Sequence, residues 1–162
     1  MILIACVDDN LGMMFNKRRQ SRDIKVNEHI KNIVKDKKIW INPYSKELFN
    51  DVENILIDEQ STEKAQNGDY CFIENEELQT NNDKIEKIIL YFWNRSYPSD
   101  KKFTIDLSEW EEISEEEFEG NSHEKITQKI YIRRNTKCQE KVIQVKRKLE
   151  NKPRQLYRSL LS

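Results

Sequence analysis

The chemistry open to this 162-residue chain rests on a few polar clusters, because it holds only two histidines and three cysteines. His123 stands in the run Asn121-Ser122-His123-Glu124-Lys125. An imidazole titrates near neutrality and can act as acid or base; the competing reading is a hairpin cap bonded to neighbouring acids. Asp23 stands just before an apolar helical pattern, where a carboxylate favours the N-terminal dipole. Arg18 and Arg19, in Arg18-Arg19-Gln20-Ser21, could grip a carboxylate or phosphate through paired N–H groups, or stand solvated in a loop. Trp93, in Trp93-Asn94-Arg95, could stack on a base or ring, or fill the core. Asn42 and Ser45 lie in Asn42-Pro43-Tyr44-Ser45. No base stands near Ser21 along the chain, so no nucleophilic role is expected of it. Two histidines are too few for a two-zinc centre. Cys6, Cys71 and Cys138 are odd in number and widely spaced, which argues against a disulfide framework and for a reducing compartment.

The elements that must position these groups follow from hydrophobic pattern. Residues 2–7 form a continuous apolar run, which reads as a strand buried on both faces. A polar loop is expected from Asp8 to Asp23. Val26, Ile30, Ile33 and Val34 recur at helical spacing. Strands are expected at 38–41, 55–57, 70–73, 88–93, 109–113 and 125–132. A turn at 42–45 and a short helix through Leu48-Phe49 follow the second strand, with Pro43 suited to a first helical turn. The last strand alternates, with Ile126, Gln128, Ile130 and Ile132 on one side, as a half-exposed strand would. This order implies an α/β domain with a parallel or mixed sheet and a terminal hairpin.

Residues 1–134 are read as that domain and 135–162 as a basic amphipathic helical tail. In the tail Cys138, Val142, Val145, Leu149, Leu156 and Leu160 keep near-helical spacing, with a break at Pro153. Lys141, Lys146, Arg147, Lys148, Arg154 and Arg158 could meet RNA phosphates. The apolar stripe could instead dock on the domain or on a second copy, giving a homo-oligomer.

Hydrophobic residues make up 36% and charged residues 35%, and the net charge of -1 sets up no global field toward nucleic acid or membrane. Charge is segregated locally, with nine acidic residues and no Lys or Arg between Asp106 and Glu124. The bland reading is a solvated acidic face. The opening apolar run is too short for a signal peptide, and nothing reaches the length of a membrane span. A soluble cytoplasmic protein is expected.

The opening Ile2-Leu3-Ile4-Ala5-Cys6-Val7-Asp8-Asp9-Asn10-Leu11-Gly12-Met13 resembles the first strand and mobile loop of dihydrofolate reductases. Trp110-Glu111-Glu112-Ile113, Glu117-Phe118, Asn121-Ser122-His123 and Tyr131-Ile132-Arg133-Arg134 resemble that family's last two strands. Ile39-Trp40-Ile41 sits where its second strand belongs. The resemblance implies a dihydrofolate reductase-like mixed sheet with flanking helices, here with a C-terminal helical extension. It also implies that Asp23 matches the carboxylate that holds a pterin ring, and that Tyr91 falls where a Thr is expected.

The chain departs from the family at the cofactor site. A Gly-Arg-x-Thr/Ser turn that grips the cofactor phosphate is replaced by Asn42-Pro43-Tyr44-Ser45, which lacks the Arg and one N–H donor. A Gly-Gly pair that lets backbone pack against the cofactor is missing among the three glycines. No NADPH, and no other cofactor, is therefore expected. The arrangement is also similar to small bacterial proteins labelled ribonuclease Z, whose name implies a His-x-His-x-Asp-His metal cluster that this chain lacks. Ligands of open α/β sheets gather at strand carboxyl ends, and the resemblance implies that the loops around Arg18, Trp93 and His123 touch. The leading expectation is a binding or interaction protein without reductase activity. Its cleft would take a small anionic or nucleotide-like ligand through Arg18, Arg19, Asn42, Ser45, Trp93 and Arg95. The alternatives are an enzyme, hydrolase or reductase, using Asp23 and His123 in the same cleft, or an RNA-associated factor using the tail.

Overall fold

Apolar side chains at all six positions of Ile2–Val7 suit a strand covered on both faces. In the computed structural model, which describes residues 1–78 and 83–134, this segment is the central strand β1. Parallel partners flank it: β6 (Tyr70–Ile73) sets Cys71 opposite Leu3 and β7 (Lys87–Phe92) sets Ile88 there. With β4 (Ile39–Ile41), β5 (Ile55–Ile57), β9 (Trp110–Phe118) and β10 (Ile126–Arg133), they form a seven-stranded sheet ordered β5-β4-β6-β1-β7-β10-β9. β10 runs antiparallel to β7, so the sheet is mixed and the class is α/β, as expected.

Strand alternation splits the core in two. Leu3, Ala5 and Val7 pack with Met13, Ile88, Leu90, Phe103 and Trp110 on one face. Ile4 packs on the other with Phe49, Phe72, Tyr91 and helix α1 (Ile24–Val34). That helix buries Val26, Ile30 and Val34, each one turn from the next. Each such aliphatic side chain stabilises the fold by roughly 1.5–3 kcal/mol on full burial.

The segment expected as a loop from Asp8 to Asp23 contains a hairpin. Strands β2 (Gly12–Phe15) and β3 (Arg18–Arg19) pair antiparallel, and β8 (Lys101–Lys102) joins them in a second sheet. Asn16 and Lys17 turn the chain at φ of 50 and 63, the double left-handed conformation of a tight hairpin turn. Asn-Lys lacks the glycine that would announce it. Asp8 fastens the base of this hairpin by accepting the backbone N–H groups of Asn10, Gly12 and Tyr97 and the amide of Gln20.

The helix expected after Asn42 is a 3₁₀ helix (Pro43–Leu48), and a short helix α2 (Ser61–Lys64) was not foreseen. β9 runs well past the expected Ile113. As an edge strand it exposes its glutamates, which keeps further strands from adding. β10 is covered on both faces rather than half-exposed: Ile126 and Gln128 are buried, and so are Thr127 and Tyr131. The chain divides into one compact unit, Met1–Ile132, and a second, Arg133–Ser162. The helical tail read for 135–162 lies outside the described residues. Among the described residues no helix is long and apolar enough to cross a membrane.

Candidate functional site

β1, β4, β6 and β7 are parallel, so their carboxyl ends open on one edge of the sheet. Asp8, Asn42, Glu74 and Trp93 follow those ends directly, and two buried polar clusters form beside them.

The first cluster is built on Asp23. It caps α1 by accepting Lys25 N–H at 2.9 Å. Its two oxygens also accept the backbone N–H groups of Asn121 (2.9 Å) and Ser122 (2.8 Å), the Ser122 hydroxyl (3.1 Å) and His123 Nδ1 (3.0 Å). Burial alone would raise the Asp23 pKa. The Asn121 N–H, the His123 ring and the N–H groups of Ser122 and Lys25 outweigh burial and hold the carboxyl far below its ordinary value. An ionised carboxylate only accepts, so the proton of the neutral ring sits on Nδ1 and Nε2 keeps its lone pair. Two hydroxyls face that lone pair: Ser21 Oγ at 3.0 Å and Tyr97 Oη at 3.1 Å. Trp93 covers the ring, stacked at 4.7 Å between centroids. Gly120 makes the approach possible, because a β-carbon there would lie 2.7 Å from Asp23 Oδ2.

The sequence carried no base near Ser21, yet the structure sets His123 against it from across 102 residues. Asp23, His123 and Ser21 thus stand in the carboxylate–imidazole–hydroxyl order that activates a hydroxyl in acyl transfer.

The second cluster is built on Glu74, at the end of β6. Its carboxylate accepts Ser45 Oγ at 2.6 Å and two groups of Arg19, Nε at 2.7 Å and the terminal nitrogen Nη2 at 3.1 Å. Arg19 also meets Glu47 and the Tyr44 carbonyl, and its guanidinium lies over the Tyr44 ring at 4.6 Å. Burial would lower the Arg19 pKa, but the bonds to Glu74 and Glu47 hold it above its ordinary value. Glu74 was not singled out in the sequence. Its position directly after a parallel strand was the available signal.

Between the clusters lies a cleft of about 20 Å³, lined by Cys6, Arg19, Ser21, Asn27, Glu74 and Trp93 among others. That is room for roughly one water molecule. A wider groove of about 500 Å³ runs beside it, between Phe15, Arg18, Arg19, Gln20, Tyr97 and Pro98.

Of the residues picked from sequence, Asp23, His123 and Trp93 meet in the first cluster, and Arg19 and Ser45 in the second. Arg18 is exposed on the groove. Asn42 caps the 3₁₀ helix by accepting Tyr44 N–H at 3.0 Å. Arg95 is exposed, gives its carbonyl to Asp9 and lines neither space. Tyr91 is bonded to His29 Nδ1 (2.8 Å) and Gln128 (3.1 Å). Among the described residues no group of three His, Cys, Asp or Glu side chains is placed to hold a metal ion.

No protein-family model matches the chain, and no curated protein matches it. Among solved structures, dihydrofolate reductase from Enterococcus faecalis in complex with NADP(H) and RAB-propyl aligns with a TM-score of 0.60 at 11% identity. The alignment covers 83% of this chain and 96% of that one. At that identity the likeness concerns the fold alone: the chain has a dihydrofolate reductase-like α/β fold.

Proposed function

We propose that this chain is a binding protein on a reductase-like fold, without NADPH-dependent reductase activity, whose ligand is small and anionic or nucleotide-like. One observation supports this best: the Glu74 carboxylate accepts from Ser45, in the turn where the sequence resemblance places a cofactor phosphate, and from Arg19 beside it. A phosphate entering there meets a negative charge, and the Ser45 hydroxyl and most of the Arg19 donors are already taken. The amide of Asn42 similarly claims the Tyr44 N–H.

An anion therefore binds beside the cleft rather than in it. Arg18 is exposed on the groove, whose volume falls in the range usual for small-molecule sites. Phe15 and Tyr97 line it and supply aromatic surface for a planar ligand. The likeness to proteins labelled ribonuclease Z adds no chemistry here. RNA binding or self-association through 135–162 is a separate proposal, tested by gel shift and sizing of a chain ending at Arg134.

Thermal shift tests the binding reading, since a ligand that binds only the folded state raises its melting point. AMP, ADP, UDP-glucose and inorganic phosphate form the panel, with NADPH beside them. A rise with at least one of the four, lost in Arg18→Ala, is expected, and none with NADPH. A rise with NADPH, or silence across the four, sinks the reading. A second reading, an enzyme in the same cleft, is favoured by the Asp23–His123–Ser21 array.

A further inference from the structure

We propose that Ser21 is a nucleophile for short-chain acyl esters, with His123 as its base and Asp23 as the residue that positions the ring. The proposal does not rest on the binding reading, because the groove can hold a ligand whether or not Ser21 reacts.

Three observations carry it. Ser21 Oγ lies 3.0 Å from His123 Nε2, and Asp23 Oδ2 lies 3.0 Å from Nδ1 on the far side of the same ring. The ring is held from every side: Trp93 stacks on it, and Asp23 is itself fixed by three backbone N–H groups. A preset base of this kind avoids reorganisation when the proton moves. Ser21 also lines the cleft and is only half-buried, whereas His123 and Asp23 are buried. Among the described residues no acceptor takes the backbone N–H of Ser21 or Arg22. In the proposed step these two groups are the donors for the carbonyl oxygen of the acyl group, which gains negative charge as Oγ attacks.

The step balances without a further reactant. Ser21 Oγ bonds to the carbonyl carbon and its proton passes to His123 Nε2. The ester C–O bond breaks, and the departing alkoxide takes that proton. Water then attacks the acyl-Ser21 ester, again giving a proton to Nε2, and Oγ leaves with it. The cleft sets the substrate class. At about 20 Å³ it leaves no room for a long acyl chain. The leaving alcohol faces the groove, which shares Arg19 with the cleft and is bordered by Gln20 and Tyr97.

Tyr97 makes the proposal sharp. Its hydroxyl reaches the same Nε2 at 3.1 Å, and a single lone pair accepts from one strong donor at a time. Tyr97 therefore competes with Ser21 for the base, and its removal should raise reactivity.

The full chain is incubated with p-nitrophenyl acetate and, as a trap, diisopropyl fluorophosphate, and adducts are mapped by mass spectrometry. Ser21 is expected to carry the adduct, with Ser122 unmodified. Ser21→Ala abolishes it, His123→Gln slows it at least about a hundredfold, and Tyr97→Phe speeds it roughly two- to tenfold. p-Nitrophenyl octanoate should react far more slowly than the acetate. Wild-type protein with no adduct on Ser21, or equal rates in folded His123→Gln, overturns the proposal. Should His123→Gln not fold, Ser21→Cys decides: at neutral pH the introduced thiol should be alkylated by iodoacetamide faster than free cysteine, because the His123 ring takes its proton. No difference overturns the proposal, and a groove ligand found beside it leaves the binding reading intact.

Discussion

The Arg19–Glu74 cluster and the Asp23–His123 cluster share one sheet edge and comparable burial, yet they finish differently. In the first, every partner is internal: both Glu74 oxygens are taken, and the guanidinium spreads over Glu74, Glu47 and Tyr44. Such a cluster closes a cleft and holds β3 to the 3₁₀ helix, with four of the five guanidinium N–H groups already committed. In the second, five donors saturate Asp23, while the far nitrogen of the ring keeps one lone pair for two hydroxyls. The difference teaches that burial and charge do not by themselves mark a reactive site. What separates the two clusters is that the acceptor left over in the second, His123 Nε2, faces two neutral hydroxyls rather than a fixed charge.

The comparison is broken most forcefully at Glu74. Glu74→Ala leaves the half-buried Arg19 with Glu47 as its remaining carboxylate and the buried Ser45 hydroxyl without its acceptor, and should cost about 2–3 kcal/mol in urea unfolding. The double change Arg19→Met with Glu74→Leu should recover most of that loss, because an apolar pair of similar volume needs no partner. A double variant as unstable as the single would show that the cluster contributes something besides charge balance.

Asp23→Asn comes next, at about 2 kcal/mol at neutral pH, since its amide nitrogen cannot accept and faces donors. The sign of its pH dependence follows from the lowered carboxyl. A depressed folded-state pKa adds stability that is complete above the unfolded value near ~4 and fades as pH falls toward the folded value. The gap between wild type and Asp23→Asn, followed by denaturant midpoints, should therefore narrow steadily below about pH 4. A gap that stays constant down to strong acid contradicts the assignment of charge to Asp23.

Gly120→Ala should cost about 1–2 kcal/mol through its contact with the Asp23 carboxylate and the His123 carbonyl. It should also slow any labelling of Ser21, which a calorimetric melt alone would not reveal. Tyr97→Phe is the mildest change, under about 1 kcal/mol. It sharpens the comparison because it removes one of the two hydroxyls on Nε2 while leaving the Arg19 cluster alone.

Much of the frame was legible in the chain. A six-residue apolar run can only be covered on both faces, and 3.6-residue spacing from Val26 to Val34 can only bury one side of a helix. Local electrostatics at helix starts identified Asp23 as a cap, because that interaction spans two residues. The β2–β3 hairpin was not legible, since its turn uses Asn16-Lys17 where glycine normally supplies the left-handed conformation. The burial of Thr127 and Tyr131 was not legible either, because whether the second face of β10 is covered depends on what packs there, not on its own alternation.

The pairings were decided by tertiary structure alone. Glu74 reads as one acid among many until β6 delivers it to Ser45 and Arg19, 29 and 55 residues away. Ser21 has no base within reach along the chain until the turn carrying His123 folds back over the start of α1. Residue types and periodicity act over one or two turns of chain, so they set the strands, the helix and its cap. Which hydroxyl meets which lone pair is a matter of tenths of an ångström across distant segments, and only the closed fold brings those segments together.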